Sequence, residues 1–107
     1  MNLAVLNGNI CNEIEPRYTP SGTMVADFTL AINDGKDKEG NPKSQFIRCR
    51  AWQKTAETLT KYCEKGDKVT VQGRIKSDNY QKNGDQMYYT YVSVQDLRFG
   101  FKPKKGE

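Results

Sequence analysis

The seven residues Phe46-Ile47-Arg48-Cys49-Arg50-Ala51-Trp52 hold the most suggestive chemistry in the chain. They read as an extended strand, whose side chains alternate between two faces. Ile47, Cys49 and Ala51 then make one small apolar face suited to an interior, and Phe46, Arg48, Arg50 and Trp52 make the other. A strand turned to water gains little by exposing Phe and Trp. The same row suits unpaired nucleic-acid bases, which stack on aromatic rings at roughly 1–3 kcal/mol each while guanidinium groups meet phosphates. A competing use of these residues buries Phe46 and Trp52 under a loop or partner chain and leaves the arginines as solubilising charge. The surrounding residues favour the first use. Lys54, Lys65, Arg74 and Lys76 fall at strand ends and outward positions near the same region, and Tyr80 sits with Lys82 in a polar excursion. Tyr89 and Tyr91 alternate onto one side of the last strand with Tyr88 opposite, and packing roles are favoured for all three. Lys36 and Lys38 fit either phosphate contacts or a solvated tip.

Composition narrows the alternatives. The chain has 107 residues, a net charge of +4 and a mean hydropathy of −0.85, which fit one water-soluble domain. No apolar run reaches the ~18 residues a membrane helix needs. The N-terminus lacks a basic segment followed by an apolar stretch, so a cytoplasmic location is expected. Histidine is absent, which removes the commonest general base. Cys11, Cys49 and Cys63 are odd in number and lack a CxxC spacing, so free thiols are expected rather than a zinc site or disulfides. No metal or cofactor is expected. Residues 1–35 carry one basic residue against four acids, and the rest of the chain carries sixteen against nine. This bias matters only because its cations share a region with aromatic residues.

The elements that must position these residues read as five short strands and one helix. Leu3 to Ile10 is apolar with Gly8 inside it, as in a bent or bulged strand. Glu15 to Gly22 is rich in turn formers and reads as a loop. From Val25 the pattern alternates, with Ala26, Phe28, Leu30 and Ile32 on one face and Asp27, Thr29 and Asn33 on the other. Asp34 to Lys43 is a polar, hairpin-like excursion, and a third strand runs from Gln45 to Trp52. Thr55 to Cys63 places Ala56, Leu59 and Cys63 at helical spacing, with Gly66 as a left-handed C-terminal cap. A fourth strand, Lys68 to Lys76, directs Val69, Val71 and Ile75 inward. Asn83-Gly84-Asp85 signals a turn within a second excursion, Ser77 to Gln86. Met87 to Phe99 is the last strand, and residues 100–107 form a short basic tail. Three strands, a helix and two strands is the order of the five-stranded OB-fold barrel, an all-β class with one short helix.

At these residues the chain resembles the bacterial-type single-stranded DNA-binding proteins, including their phage-encoded relatives. The resemblance spans about residues 3–99. It rests on Val5-Leu6-Asn7-Gly8-Asn9, on Glu15-Pro16-Arg17-Tyr18-Thr19-Pro20-Ser21-Gly22 and on Val25-Ala26-Asp27-Phe28-Thr29-Leu30-Ala31. It continues in Phe46 to Glu57, in Tyr62-Cys63-Glu64-Lys65-Gly66 and in Val71-Gln72-Gly73-Arg74-Ile75. The resemblance implies an OB fold assembling as a homotetramer that coats single-stranded DNA with little sequence preference, in replication, recombination and repair. It maps base-stacking rings onto Phe46, Trp52 and Tyr80, and basic contacts onto Lys54, Lys65 and Lys76 with Arg48 close by. Two features depart from the family pattern. Gly35-Lys36-Asp37-Lys38 lacks the aromatic that the family often carries there. The chain ends Phe101-Lys102-Pro103-Lys104-Lys105-Gly106-Glu107 without an acidic tip, so recruitment of other enzymes through such a tip is not expected, and a phage or mobile-element origin is favoured.

Two further readings use the same residues. An RNA-binding OB protein would recognise 2′-hydroxyl groups, and a protein-interaction module would use the aromatic–basic strand as an interface. A nuclease would need Asp34, Asp37 and Glu39, which lie among lysines on a turn-rich loop and read as a solvated tip.

Overall fold

A computed structural model describes residues 1–99 of the chain. The alternation that begins at Val25 forms β3 (Met24–Lys36), whose Ala26, Phe28 and Leu30 are fully buried. The aromatic–basic row lies in β4 (Pro42–Trp52), antiparallel to β3 with Phe28 opposite Cys49 and Asp27 opposite Arg50. β1 (Ala4–Ile10) pairs with β5 (Lys68–Lys82), and its last residues also pair with β3. β6 (Asp85–Phe99) is antiparallel to β5 and parallel to β4. The circuit β1-β5-β6-β4-β3 returns to β1, so the five strands close into a barrel with the pairing order of an OB fold.

Closure depends on two close backbone approaches. At Gly8, where β1 passes from β5 to β3, a Cβ would stand 2.6 Å from the Ala31 carbonyl oxygen. At Gly73, beside a register shift in the β5–β6 ladder, a Cβ would run into the Ser93 carbonyl. Both glycines serve as contact points between strands. Inside, Ile10, Phe28, Leu30, Val69, Val71 and Val94 pack with Ala56 and Leu59 of α1 (Gln53–Tyr62). Burying each large side chain contributes about 1.5–3 kcal/mol. The helix follows β4 with no intervening loop, and Gln53 takes the turn in a left-handed conformation with φ 51°.

Several local expectations change. Glu15–Tyr18, read as loop, is a sixth strand, β2, paired with β3 from Glu15↔Asp27 to Tyr18↔Met24. Its four residues are all exposed, so no burial pattern marks it. The helix starts at Gln53 and is capped by Cys63, whose N–H donates to the Leu59 carbonyl. Gly66 does have a positive φ, 98°, but it serves the following turn, donating its N–H to the Ile10 carbonyl. The Ser77–Gln86 excursion is regular ladder, closed by Asn83 and Gly84 at φ 53° and 82° as a tight hairpin. Ile75, expected inward, is 53% exposed. β5 has fifteen residues and β1 only seven, so β5 outruns its neighbour beyond Gly73 and its inward face emerges into solvent. Asn2 finishes that edge, its carboxamide bonding both the carbonyl and the N–H of Ile75 at 2.7 and 2.9 Å. The predicted basic tail lies outside the described residues.

Because the obstacle at Gly73 is backbone, it cannot rotate away. Gly73→Ala is expected to lower stability by about 1–3 kcal/mol, read as a fall in the urea midpoint.

Candidate nucleic-acid interface

Strand register assembles the site. Arg50 stands beside Ser93 across the parallel β4–β6 pair, and Ser93 faces Arg74 across the antiparallel β5–β6 pair. The same alternation brings Tyr91 opposite Lys76, Tyr89 opposite Asp78 and Met87 opposite Tyr80. Phe46, Arg48, Arg50 and Trp52 therefore share one outer face with Arg74, Lys76, Tyr80, Tyr89 and Tyr91. Phe46 is 66% exposed and Tyr80 46%, while Trp52 is half-buried.

The centre of this face is a cluster of rings around guanidinium groups. The Arg48 Cζ lies 4.5 Å from the Tyr89 ring centroid, and the Arg50 Cζ lies 4.6 Å from that of Tyr91. Arg50 also reaches Tyr89 at 5.5 Å and Trp52 at 5.9 Å. The two tyrosine rings are 5.7 Å apart and tilted by 42°. Each distance falls within the range of a cation–π contact or a favourable aromatic pair.

Two carboxylates complete the cluster. The Arg50 Nε donates to Asp27 Oδ1 at 2.7 Å, and its Nη1 lies 3.7 Å from Asp78 Oδ2. Arg17 donates to the other Asp27 oxygen at 3.1 and 3.2 Å, and the Tyr91 hydroxyl donates to Asp78 at 3.1 Å. Burial disfavours the Arg50 charge, yet its hydrogen bond to Asp27 and the charge of Asp27 prevail, holding the guanidinium above its usual pKa. Burial raises the Tyr91 phenol, and Asp78 adds to the shift through its hydrogen bond and its charge, outweighing Arg50. On the opposite side of β4, burial pushes the Cys49 thiol up to about 12. Among the described residues Arg48, Arg74 and Lys76 make no ion pair.

Where β4 and β6 part, before their first pair at Cys49↔Val92, a cleft of about 240 Å³ opens between Phe46, Arg48, Ile75, Thr90 and Tyr91. An apolar floor between a ring and a cation is the shape a nucleobase with its phosphate requires.

Seven of the nine expected site residues thus share a face. The other two do not: Lys54 lies in the first turn of α1 and Lys65 in the turn after it, both exposed. Tyr89 and Tyr91, for which packing roles are expected, do pack, against Arg48, Arg50 and each other at the centre of the face, and Tyr91 is buried at 3% exposure. Their shared side of β6 was visible in the alternation. Their position over Arg48 and Arg50 was not, because it depends on a parallel register. Two of the three acids considered for a nuclease hold local structure: the Asp37 carboxylate in the β3–β4 loop accepts the Glu39 and Asn41 N–H groups, and Asp34, near the end of β3, accepts from Gln45.

The family model described as the single-strand binding protein family matches residues 1–100. The chain belongs to that family. It is 39% identical to single-stranded DNA-binding protein 3 of Listeria innocua serovar 6a, over 92% of this chain and 63% of the relative. It is 36% identical to a single-stranded DNA-binding protein of Bacillus cereus, over 99% of this chain and 63% of the relative. With single-stranded DNA-binding protein 1 of Streptococcus pyogenes serotype M18 it shares 37% identity, over 92% of this chain and 77% of the relative. The chain thus spans less than two thirds of the Listeria and Bacillus proteins. The family match covers all six strands and the helix, and so every residue of the face just described. Among the described residues no helix is long and apolar enough to cross a membrane.

The Tyr91 phenol carries a pH dependence. The native state keeps a proton that the unfolded chain releases near the ordinary tyrosine value of 10.0. Its contribution is therefore complete below that value and is lost as pH rises past it. Tyr91→Phe is expected to flatten the alkaline loss of stability, measured by urea unfolding across pH 9.5 to 11.5 or so.

Proposed function

We propose that the outer face of β4, β5 and β6 binds single-stranded DNA, and that the protein acts by coating it rather than by catalysis. The single observation that carries this reading is the continuous face on which Phe46, Trp52, Tyr80 and Tyr89 alternate with the unpaired cations Arg48, Arg74 and Lys76. Bases stack on the rings, and phosphates meet cations at the margin. A duplex hides its base faces and forgoes the stacking, which gives preference for single strands with little regard to sequence. Lys54 and Lys65 extend the path beyond the sheet. Such coating serves replication, recombination and repair in the cytoplasm of a bacterial or phage-infected cell.

Self-association belongs to the same reading. Val5 on the outward side of β1 and Leu3 just before the strand are 58% and 57% exposed, and exposed apolar side chains grouped together mark a protein contact. The family resemblance supports an assembly of four copies. Sedimentation equilibrium is expected to give a mass near four times 12.2 kDa. A mass of one copy would reject the oligomer.

Trp52 is the only tryptophan, so its fluorescence reports directly on β4. Titration with poly(dT) is expected to quench it, the affinity falling steeply as salt rises, and a duplex is expected to leave it unchanged. Phe46→Ala is expected to weaken binding by roughly ten- to a hundredfold, as one lost base stack implies. Unquenched Trp52 with no mobility shift would instead favour a protein-interaction module. Tighter binding of poly(U) than of poly(dT) would favour RNA.

A further inference from the structure

Four cations line the sheet face, and they are not equivalent. Among the described residues Arg48 is exposed and makes no ion pair, and the same is true of Arg74. Lys76 is half-buried and likewise unpaired. The Arg50 side chain is only 16% exposed, and it faces two carboxylates, its Nε 2.7 Å from Asp27 and its Nη1 3.7 Å from Asp78. Its flat face lies within cation–π range of three rings, those of Trp52, Tyr89 and Tyr91. The acids are themselves anchored, Asp27 by Arg17 and Asp78 by the Tyr91 hydroxyl.

We infer that Arg50 is a positioning residue, not a phosphate ligand: its charge is committed to Asp27 and Asp78, and its guanidinium, packed on the buried Tyr91 ring, sets the rings of Trp52 and Tyr89 for stacking. This rests on the proposed binding of single-stranded DNA and assigns the division of labour within that face. A phosphate approaching Arg50 would arrive beside two carboxylates that repel it, and one seeking its Nε would have to displace a short charge-assisted bond. The easier course lays the bases across the ring cluster and sends the backbone to Arg48, Arg74 and Lys76. The centre of the face is then nearly neutral and aromatic, and its margins are cationic. Tyr89 thereby becomes a stacking ring in its own right, in a chain whose β3–β4 loop supplies no aromatic.

Salt titrations separate the two roles, because each phosphate contact on a single strand contributes about 0.7 to the slope of log affinity against log salt. Arg48→Gln is expected to lower that slope by about 0.7, the value of one contact. Arg50→Gln is expected to weaken poly(dT) binding roughly tenfold, the order of one base–ring stack, while keeping the wild-type slope. On an abasic strand of the same length, Arg50→Gln and wild type are expected to bind alike, since no base remains to stack. A slope lowered as much as by Arg48→Gln, or a loss that persists on the abasic strand, would overturn the assignment. Where the single variant unfolds, Arg50→Gln/Asp78→Asn takes its place. It strands no charge and leaves Asp27 with Arg17, and the same outcomes decide. Failure of the wild type to bind poly(dT) would reject the binding reading itself, whereas equal slopes for Arg48→Gln and Arg50→Gln reject only the role of Arg50.

Discussion

The parallel contact between β4 and β6 is small, running from Cys49↔Val92 through Arg50↔Ser93 to Ala51↔Val94, and the rest of the molecule depends on it. It joins β3–β4 to β5–β6, each an antiparallel pair formed locally in sequence, in the circuit that the β1–β3 pairing completes as a barrel. Its inward members, Cys49, Ala51, Val92 and Val94, are all buried, so closure is held by packing as well as by the ladder. Its outward pair sets Arg50 next to the strand that carries Tyr89 and Tyr91. A shift of one residue in this register would move the arginines to the interior and Cys49 to the surface. Barrel closure and site assembly are therefore one event.

Below this contact the strands are barrel, and beyond it they are arm. β5 and β6 continue as a two-stranded ribbon from Lys76↔Tyr91 to the Asn83-Gly84 turn, no longer flanked by β1 or β4. An isolated ribbon is weak by itself, and this one is tied down at its base where Asp78 meets Arg50 and Tyr91. The face thus grades from a rigid centre at Trp52 and Arg50 to a less supported edge at Tyr80. Such a gradient suits a flexible polymer, because the centre can fix one base while the arm adapts to the next.

The sequence made the barrel legible because alternation in β3, β4 and β6 marks both faces at once. Ala26, Phe28, Leu30, Cys49 and Ala51 were assigned inward and are buried. Alternation says nothing about how far a strand extends past its neighbour, which is why Ile75 was sent to the core. It is equally silent on strands with no buried face, and so β2 was missed. The site was half legible for the same reason. A single strand displays Phe46, Arg48, Arg50 and Trp52 to any reader of period two. The partners that give those residues different roles arrive from other strands, Asp27 from β3, Asp78 from β5 and the tyrosines from β6. Only the register reveals that Arg50 meets two acids while Arg48 meets none.

Alternation also separates stability from binding on the same strands. Residues facing inward along β4 hold the barrel, and those facing outward form the proposed binding face, so most changes on one face leave the other intact. Arg50 is the point where the separation fails. It ties β3 to β4 through Asp27 and reaches the arm through Asp78, while its plane supports the rings. A partly exposed ion pair of this kind is a weak source of net stability, because solvent screens much of the attraction. Its value lies in geometry, since a cation held on two sides by acids cannot drift, and neither can the rings stacked on it. On the proposed reading the face would meet a polyanion with two carboxylates near its centre, which lowers raw attraction. What it gains in exchange is a fixed aromatic surface, on which bases of any sequence can stack.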